Sequence, residues 1–366
     1  MEIKKVKPNP KETKLAVIGA GNAGQALAGV LASQGHQVRL YNRSRGSLLL
    51  YEQDPTVNCF GAVNASGILE MVTTDITAAT EGADTIFVTT TANAHQEIAA
   101  SLAGSLHDGQ LILLFPGRTG GALVFREALK QHQCQARVFV AEAQSFIYAC
   151  RIKEPGNIYL IGEKKYMPVA AFPREDTPYV IDRLRLLHPA YQAAENVLFT
   201  SFLNFGAIFH TGVLIFNAAA IERGSKFYFY QDITPTIADF VLKMDQERLA
   251  LGRAYGFNLP SVHQWMDQAY PNKPGLSLCE HMRSNPAYFD IFAPDGLNSR
   301  YLLEDVPTGL VPYLAFAEAA GLDLPLLRSL VHISSALLGI NFFEEGRTLD
   351  RMGLKSKTPR EILELI

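Results

Sequence analysis

Read for its hydrophobic and polar positions, the chain divides into two stretches with different rhythms. In the first, short apolar runs alternate with helical stretches: KLAVIGA, GNAGQALAGVLASQG and HQVRLYN over residues 14–42, then TIFVTT (85–90), QLILLFPG (110–117), RVFVAEA (137–143) and NIYLIGEK (157–164). The run Leu15, Ala16, Val17, Ile18 has no polar position, which suits a parallel strand covered on both faces. Helical stretches such as HQEIAASLAGSL fall between several runs, and Gly35 stands where a C-cap glycine is expected. Strands alternating with helices predict a doubly wound α/β sheet. After about residue 165 the pattern changes. YMPVAAFPREDTPYVIDRLRLLHPA holds four prolines and reads as the passage between domains. From Ala194 onward long helical patterns dominate, at 195–222, 233–256, 308–320 and 325–340. The expected architecture is α/β plus all-α, with one domain over 1–180 and an all-helical second domain over 181–366.

Length and composition narrow the class. The chain has 366 residues, 48% hydrophobic and 19% charged, which suits a folded protein with a large core and excludes a disordered one. A formal charge of −3 gives no basis for binding nucleic acid or an anionic membrane surface. Cys59, Cys134, Cys150 and Cys279 are widely spaced, which argues against a metal site or a disulfide framework and fits a reducing compartment. The polar start MEIKKVKPNPKETK lacks the apolar core of a signal peptide, so a cytoplasmic location is expected. No Asp, Glu, Lys or Arg occurs from Asn196 to Ile221, yet Ser201, Asn204, His210, Thr211 and Asn217 punctuate this stretch. A buried central helix of a globular domain accounts for it better than a membrane span.

GAGNAG places Gly19, Gly21 and Gly24 in G-x-G-x-x-G spacing, with Asn22 and Ala23 between them. The loop follows an expected strand, opens a helix and leads to a second strand, the context in which such a loop cradles the pyrophosphate of a dinucleotide. At the end of the second strand NAD-binding folds usually carry an acid for the ribose hydroxyls. This chain has Asn42, Arg43 and Ser44 there, which would suit a 2′-phosphate. NADP(H) is therefore the expected cofactor, with NAD(H) as the second choice.

The glycine loop together with TTTANAH (89–95), which contains Thr91 and His95, and FPGRTGGAL (115–123) resembles the opine dehydrogenases, the octopine/nopaline dehydrogenase family. AEAQSFIYACR (141–151), the Asn204–His210 stretch and RYLLEDVPTGLVP (300–312) extend the resemblance over most of the chain. Thr211 follows the histidine where many members carry proline. The resemblance implies a Rossmann-type domain followed by a helical one, with the active site in the cleft between them. It also implies reductive condensation of an amino acid with a 2-oxo acid. It assigns His210 as the catalytic histidine, Asp305 as its partner and Arg300 as the anchor of a substrate carboxylate.

Each residue also has a plainer reading. His210 could be a satisfied core histidine; Gly206 and Ala207, one turn earlier, would leave room above its ring. Arg300 could pair with Glu304 along a helix, and Asp305 could be only a first-turn acid for a helix beginning near Pro307. Asn204 would bond to substrate or to a neighbouring helix, and His95 would meet the nicotinamide or cap a helix. Rival functions are a ketone reductase of the ketopantoate reductase or glycerol-3-phosphate dehydrogenase kind, and a non-catalytic NADPH sensor. The reductases rely on a lysine in the helical domain, and here none occurs from Asn196 until Lys226. The substrate pair is not legible, because loops 225–232 and 270–300 carry no specificity code. Helical second domains often dimerise, so a homodimer is compatible with the pattern.

Overall fold

The computed structural model describes residues 13–270 and 275–366. The polar N-terminal residues 1–12, and 271–274 of the 270–300 loop, lie outside the described residues. Residues up to Gly117 with Gly121–Val197 form one compact unit, and Arg118–Gly120 with Leu198–Ile366 form the second.

The first unit contains strands β1 (Lys14–Ile18), β2 (Gln37–Tyr41), β3 (Thr56–Gly61), β4 (Ala65–Ile68), β5 (Met71–Thr73), β6 (Thr85–Val88), β7 (Leu111–Leu114), β8 (Phe139–Ala143), β9 (Tyr148–Glu154), β10 (Asn157–Glu163), β11 (Met167–Phe172) and β12 (Tyr191–Ala193). Its helices are α1 (Asn22–Ser33), α2 (Ile76–Thr80), α3 (His95–Leu102), α4 (Gly121–Gln131) and α5 (Thr177–Arg185). The main sheet runs β12-β11-β8-β7-β6-β1-β2-β5. It is parallel from β5 to β8, as expected for apolar runs such as TIFV and LILL that are buried on both faces. A second sheet, β4-β3-β10-β9, packs on α1. The approach is close because both sides use glycine: a Cβ at Gly67 would lie 2.4 Å from the Gly29 carbonyl oxygen.

Two expectations shift. NIYLIGEK is not in the parallel sheet but forms β10 of the second one. The proline-rich segment is not a passage between domains, for it contains β11 and α5 and leads into β12, the two strands completing the main sheet. Its prolines punctuate elements: Pro173 precedes a 3-10 turn, Pro178 sits in the first turn of α5, and Pro189 follows that helix. The first unit therefore runs to Val197, beyond the expected boundary at 180, and Arg118–Gly120 belong with the second.

The second unit is helical: α6 (Val197–Phe202), α7 (Phe205–Phe216), α8 (Ala218–Glu222), α9 (Pro235–Ala254), α10 (Val262–Ala269), α11 (Leu278–Ser284), α12 (Arg300–Leu303), α13 (Val311–Ala319), α14 (Pro325–Leu338), α15 (Phe342–Glu345) and α16 (Pro359–Leu365). A π-helical turn, Val306–Leu310, joins α12 to α13. Ser261, Ser277 and Thr358 start α10, α11 and α16 with capping boxes, and left-handed Gly339 ends α14.

The single helix expected over 195–222 is interrupted at Leu203–Asn204 and again at Asn217. The first break leaves backbone carbonyls without helical partners, and buried side chains supply them. Arg248 Nη1 donates to the Phe202 carbonyl at 3.0 Å, and the Tyr313 hydroxyl lies 3.2 Å from that of Asn204 and 3.3 Å from that of Phe202. Val197–Phe216 is apolar enough to cross a membrane by composition, but 83% of its apolar window is buried inside the protein.

Arg248 is 0% exposed and fully engaged: its Nε donates to Asp245 Oδ1 at 2.8 Å and its Nη2 to the Pro260 carbonyl at 2.7 Å, and its guanidinium lies 4.4 Å from the centre of the Phe205 ring. Removing one member of a buried ion pair strands the other charge. Arg248→Met is expected to destabilise the protein by about 3 kcal/mol or more, measured as a lower urea midpoint.

Candidate active site

In the second unit His210 lies on α7 and is 8% exposed. Its Nδ1 is 2.7 Å from Asp305 Oδ2, and its Nε2 is 2.8 Å from the Tyr230 hydroxyl. Asp305 stands at the head of the π-helical turn and is 0% exposed. With the carboxylate ionised, Nδ1–H donates to it, which fixes the tautomer and leaves the Nε2 lone pair to accept the Tyr230 O–H. Aromatic rings wall the pair. Tyr301 lies 4.5 Å from the His210 ring centre, and Tyr230 stacks between Phe209 at 5.2 Å and Tyr288 at 4.4 Å.

Asp305 has a second partner that the sequence did not single out. Arg118 Nη1 is 3.5 Å from Asp305 Oδ1, and Arg118 Nε is 3.4 Å from Glu304 Oε1. The same Nη1 lies 3.4 Å from the Asn204 side-chain oxygen. Gly206 makes this approach possible, since a Cβ there would stand 2.9 Å from Arg118 Nη1 and 3.3 Å from His210 Cε1. The room expected above the histidine ring is thus taken by a guanidinium. A Cβ on Gly309 would lie 2.3 Å from that of Ala207, so the π-helical turn also packs closely on α7.

The charges interlock. Burial and then Asp305 and Glu304 act in opposite senses on Arg118, and the carboxylates win, holding its pKa above the ordinary value. Burial alone would raise the Asp305 pKa, but Arg118, His210 and Arg300 together hold it below the usual carboxylate value. For His210 burial is the largest influence and lowers the pKa; Asp305 opposes it, while Arg300 and Arg118 reinforce it, so the net shift is downward from 6.5. The imidazole is therefore neutral near pH 7.

Arg300 opens α12, exposed, with its guanidinium 5.7 Å from the centre of the Tyr301 ring, next to His210. Glu304, its alternative partner by helical spacing, is buried and turned to Arg118. Asn204 is 2% exposed, and its amide donates to Thr119 Oγ1 at 3.2 Å. Its side chain is thus engaged with the 118–119 segment. Tyr230 and Arg118 are the site residues that sequence reasoning missed.

In the first unit the glycine loop has the features that a dinucleotide needs. Gly19 has φ +109°, and a Cβ on Gly24 would stand 1.7 Å from the Gly19 carbonyl oxygen, so neither position accepts a side chain. A Cβ on exposed Gly21 would meet nothing within 4 Å, which leaves its face open to a ligand. The first turn of α1 has no acidic residue and no side-chain cap, so the amides around Asn22, Ala23 and Gly24 are open to phosphate. Asn22 braces the loop by accepting from the Ile152 N–H at 2.7 Å. Asn42 does the same on the other side, accepting from the Ala20 N–H at 3.1 Å and donating to the Ser44 carbonyl at 3.0 Å. Arg43, four-fifths exposed, pairs with Glu97 at 3.0 Å. Thr91 is exposed just before a 3-10 turn. His95 is 0% exposed, with its Nδ1 3.4 Å from where a Gly121 Cβ would stand. Its ring is buried beside the start of α4.

Comparison with known proteins gives the same outline. The family model described as NAD/NADP octopine/nopaline dehydrogenase, alpha-helical domain, matches residues 193–338. That of the NAD-dependent glycerol-3-phosphate dehydrogenase N-terminus matches residues 14–132. The opine dehydrogenase of Arthrobacter sp. (strain 1C) is 35% identical over 345 residues, 94% of this chain and 96% of that protein. Octopine dehydrogenase solved with NADH and L-arginine shares the fold at a TM-score of 0.77 and 23% identity, over 96% of this chain and 98% of that one. Yersinopine dehydrogenase solved with NADP+ shares it at a TM-score of 0.69 and 16% identity, over 96% and 95%. The chain is accordingly an NAD(P)-dependent oxidoreductase of the class acting on CH–NH donors. It belongs to the opine dehydrogenase family.

Two outcomes follow from the charge arrangement. Since burial lowers the His210 pKa from its ordinary value, a reaction that needs the neutral imidazole should hold its kcat/KM through neutral pH and fall only on acidification beyond the range of a free imidazole. Asp305→Asn should lower kcat on the order of 10³-fold by releasing the tautomer and removing support for the imidazolium. Dinucleotide affinity should be unchanged, as binding titration and steady-state kinetics would show.

Proposed function

We propose that this protein reductively condenses the amino group of an amino acid with a 2-oxo acid, using NADP(H) in preference to NAD(H). The observation that carries the reading is the neutral His210 held between Asp305 and Tyr230 in an aromatic surround, in a chain of this family. The exposure of Arg300 beside the Tyr301 ring supports its reading as the cation that receives a substrate carboxylate.

Neutral His210 takes a proton from the incoming ammonium, which frees the amine to add to the oxo carbon. Ionised Asp305 stabilises the imidazolium that results. His210 then returns the proton to the departing hydroxyl, water leaves, and an iminium forms. The bound dinucleotide supplies the hydride that reduces its carbon. Over the cycle the ammonium, the oxo acid, the reduced cofactor and one proton give the protonated secondary amine, water and the oxidised cofactor. The aromatic rings around His210 limit water, so the charges on Asp305 and the imidazolium act on each other at short range with little screening.

The cofactor preference rests on the end of β2, where Arg43 and Ser44 stand and no acid does. Glu97 holds Arg43 in the absence of ligand, and a 2′-phosphate with its higher charge would compete for that guanidinium. Arg43→Ala should reduce kcat/KM with NADPH roughly tenfold or more and leave that with NADH nearly unchanged, consistent with loss of one charge-assisted contact. Equal losses with both cofactors would refute the preference.

The reaction itself is tested by following NADPH oxidation with pooled amino acids, pooled 2-oxo acids, and both. Consumption only in the combined pool is expected, and it should be lost in His210→Ala. Consumption with oxo acids alone would instead identify a ketone reductase.

A further inference from the structure

We propose that Arg118 is a positioning residue of the histidine–aspartate pair: as an ion-pair partner it stands beside the Asp305 oxygen that His210 leaves and so sets how readily His210 takes up a proton. This rests on the reading of His210 as the acid/base group.

Asp305 divides its two oxygens between the two partners, Oδ2 to His210 at 2.7 Å and Oδ1 to Arg118 at 3.5 Å. Arg118 reaches this place through features with no other evident purpose. It is a non-glycine residue at φ +60°, a conformation that L side chains rarely adopt. The segment is pinned from both sides: the Thr119 N–H donates to the Thr308 carbonyl at 3.0 Å and the Gly120 N–H to Ser201 Oγ at 2.9 Å. Arg347 Nη1 donates to the Thr119 carbonyl at 2.8 Å. Gly206 supplies the vacancy into which the guanidinium fits. Backbone strain that is held by this many contacts is characteristic of functional positions.

The charge balance says what the residue does. Glu304 and Asp305 are consecutive buried acids, and Arg118 is the cation between them. Without it Asp305 would face His210 with no balancing guanidinium, and an opposite charge nearby favours the imidazolium. The other groups that face His210 are Tyr230, Tyr301 and Arg300. Across Gly212, α9 offers Met244, Val241 and Phe240, none of them charged. On α14, also packed against α7, Arg328 turns to Asp323 at 3.7 Å and His332 to the Phe343 ring at 4.8 Å.

The test is the NMR titration of the His210 Cε1–H signal, assigned with His210→Asn, in protein without substrates. In Arg118→Gln the midpoint should rise by about one pH unit, and the acid limb of kcat/KM should move with it. Arg118→Lys, which keeps the charge, should restore part of the shift. An unmoved midpoint in an Arg118→Gln protein of normal melting temperature and dinucleotide affinity would overturn the proposal. If that variant does not fold, Glu304→Gln decides: removing an acid from the same guanidinium should lower the midpoint, and no change or a rise overturns the idea. The titration needs no turnover, so a failure of the condensation assay with the shift present would count against the reaction and not against Arg118.

Discussion

A carboxylate sealed from water is the constraint around which the second unit is arranged. Burial of an uncompensated Asp305 would cost several kcal/mol, so both oxygens must find positive or donating partners. The Nδ1–H of His210 serves one and Arg118 the other, and each choice propagates. Serving Asp305 commits His210 to one tautomer and turns Nε2 toward Tyr230. Serving it from the far side requires Arg118 to adopt a left-handed backbone and Gly206 to have no side chain. The π-helical turn after Asp305 fits the same pattern: its Gly309 backbone lies directly against Ala207, where a side chain would collide. Such turns are rare and frequently mark functional positions.

The apolar neighbourhood that makes the carboxylate expensive also makes it useful. Rings of Tyr301, Phe209, Tyr230 and Tyr288 keep water away, and charges interact more strongly where the surroundings are poorly polarisable. Position then matters more than it would in water, and position depends on the break before α7. A continuous helix from 197 would have left Asn204 within its interior; with the break, Asn204 meets Thr119 and Arg118 instead. Arg248 and Tyr313 satisfy the carbonyls that the break exposes, so a buried ion pair away from His210 holds the entry to α7.

What could be read beforehand follows from which signals are local. The parallel sheet was legible because LAVI, TIFV and LILL lie wholly inside and are almost entirely apolar. The glycine loop was legible because its spacing encodes close approaches, which the 1.7 Å clash at Gly24 bears out. His210 announced itself as a polar residue in an uncharged run. Arg118 could not, since it lies 92 positions before His210 in a loop after β7 and its partners are set by tertiary packing; the vacancy at Gly206 was visible but not its occupant. Proline misled for a physical reason. A run of prolines reads as linker chemistry, yet Pro178 in a helix first turn and Pro173 before a turn are places where a missing N–H costs little. The break at Leu203–Asn204 has neither glycine nor proline to mark it, because distant side chains make it affordable.

The same bookkeeping of charge bears on which arginine meets a ligand. Two arginines influence His210, and only one is already spent. Arg118 is nearly buried and balances Glu304 and Asp305, so drawing it toward a substrate would leave two acids side by side. Arg300 is exposed and makes no ion pair among the described residues, and its charge reaches both His210 and Asp305. A carboxylate arriving at Arg300 would partly cancel a charge that depresses the His210 pKa, and so would make the imidazole a stronger base as substrate binds. In that arrangement the resting site keeps its histidine neutral, and the substrate's own charge brings it toward proton uptake.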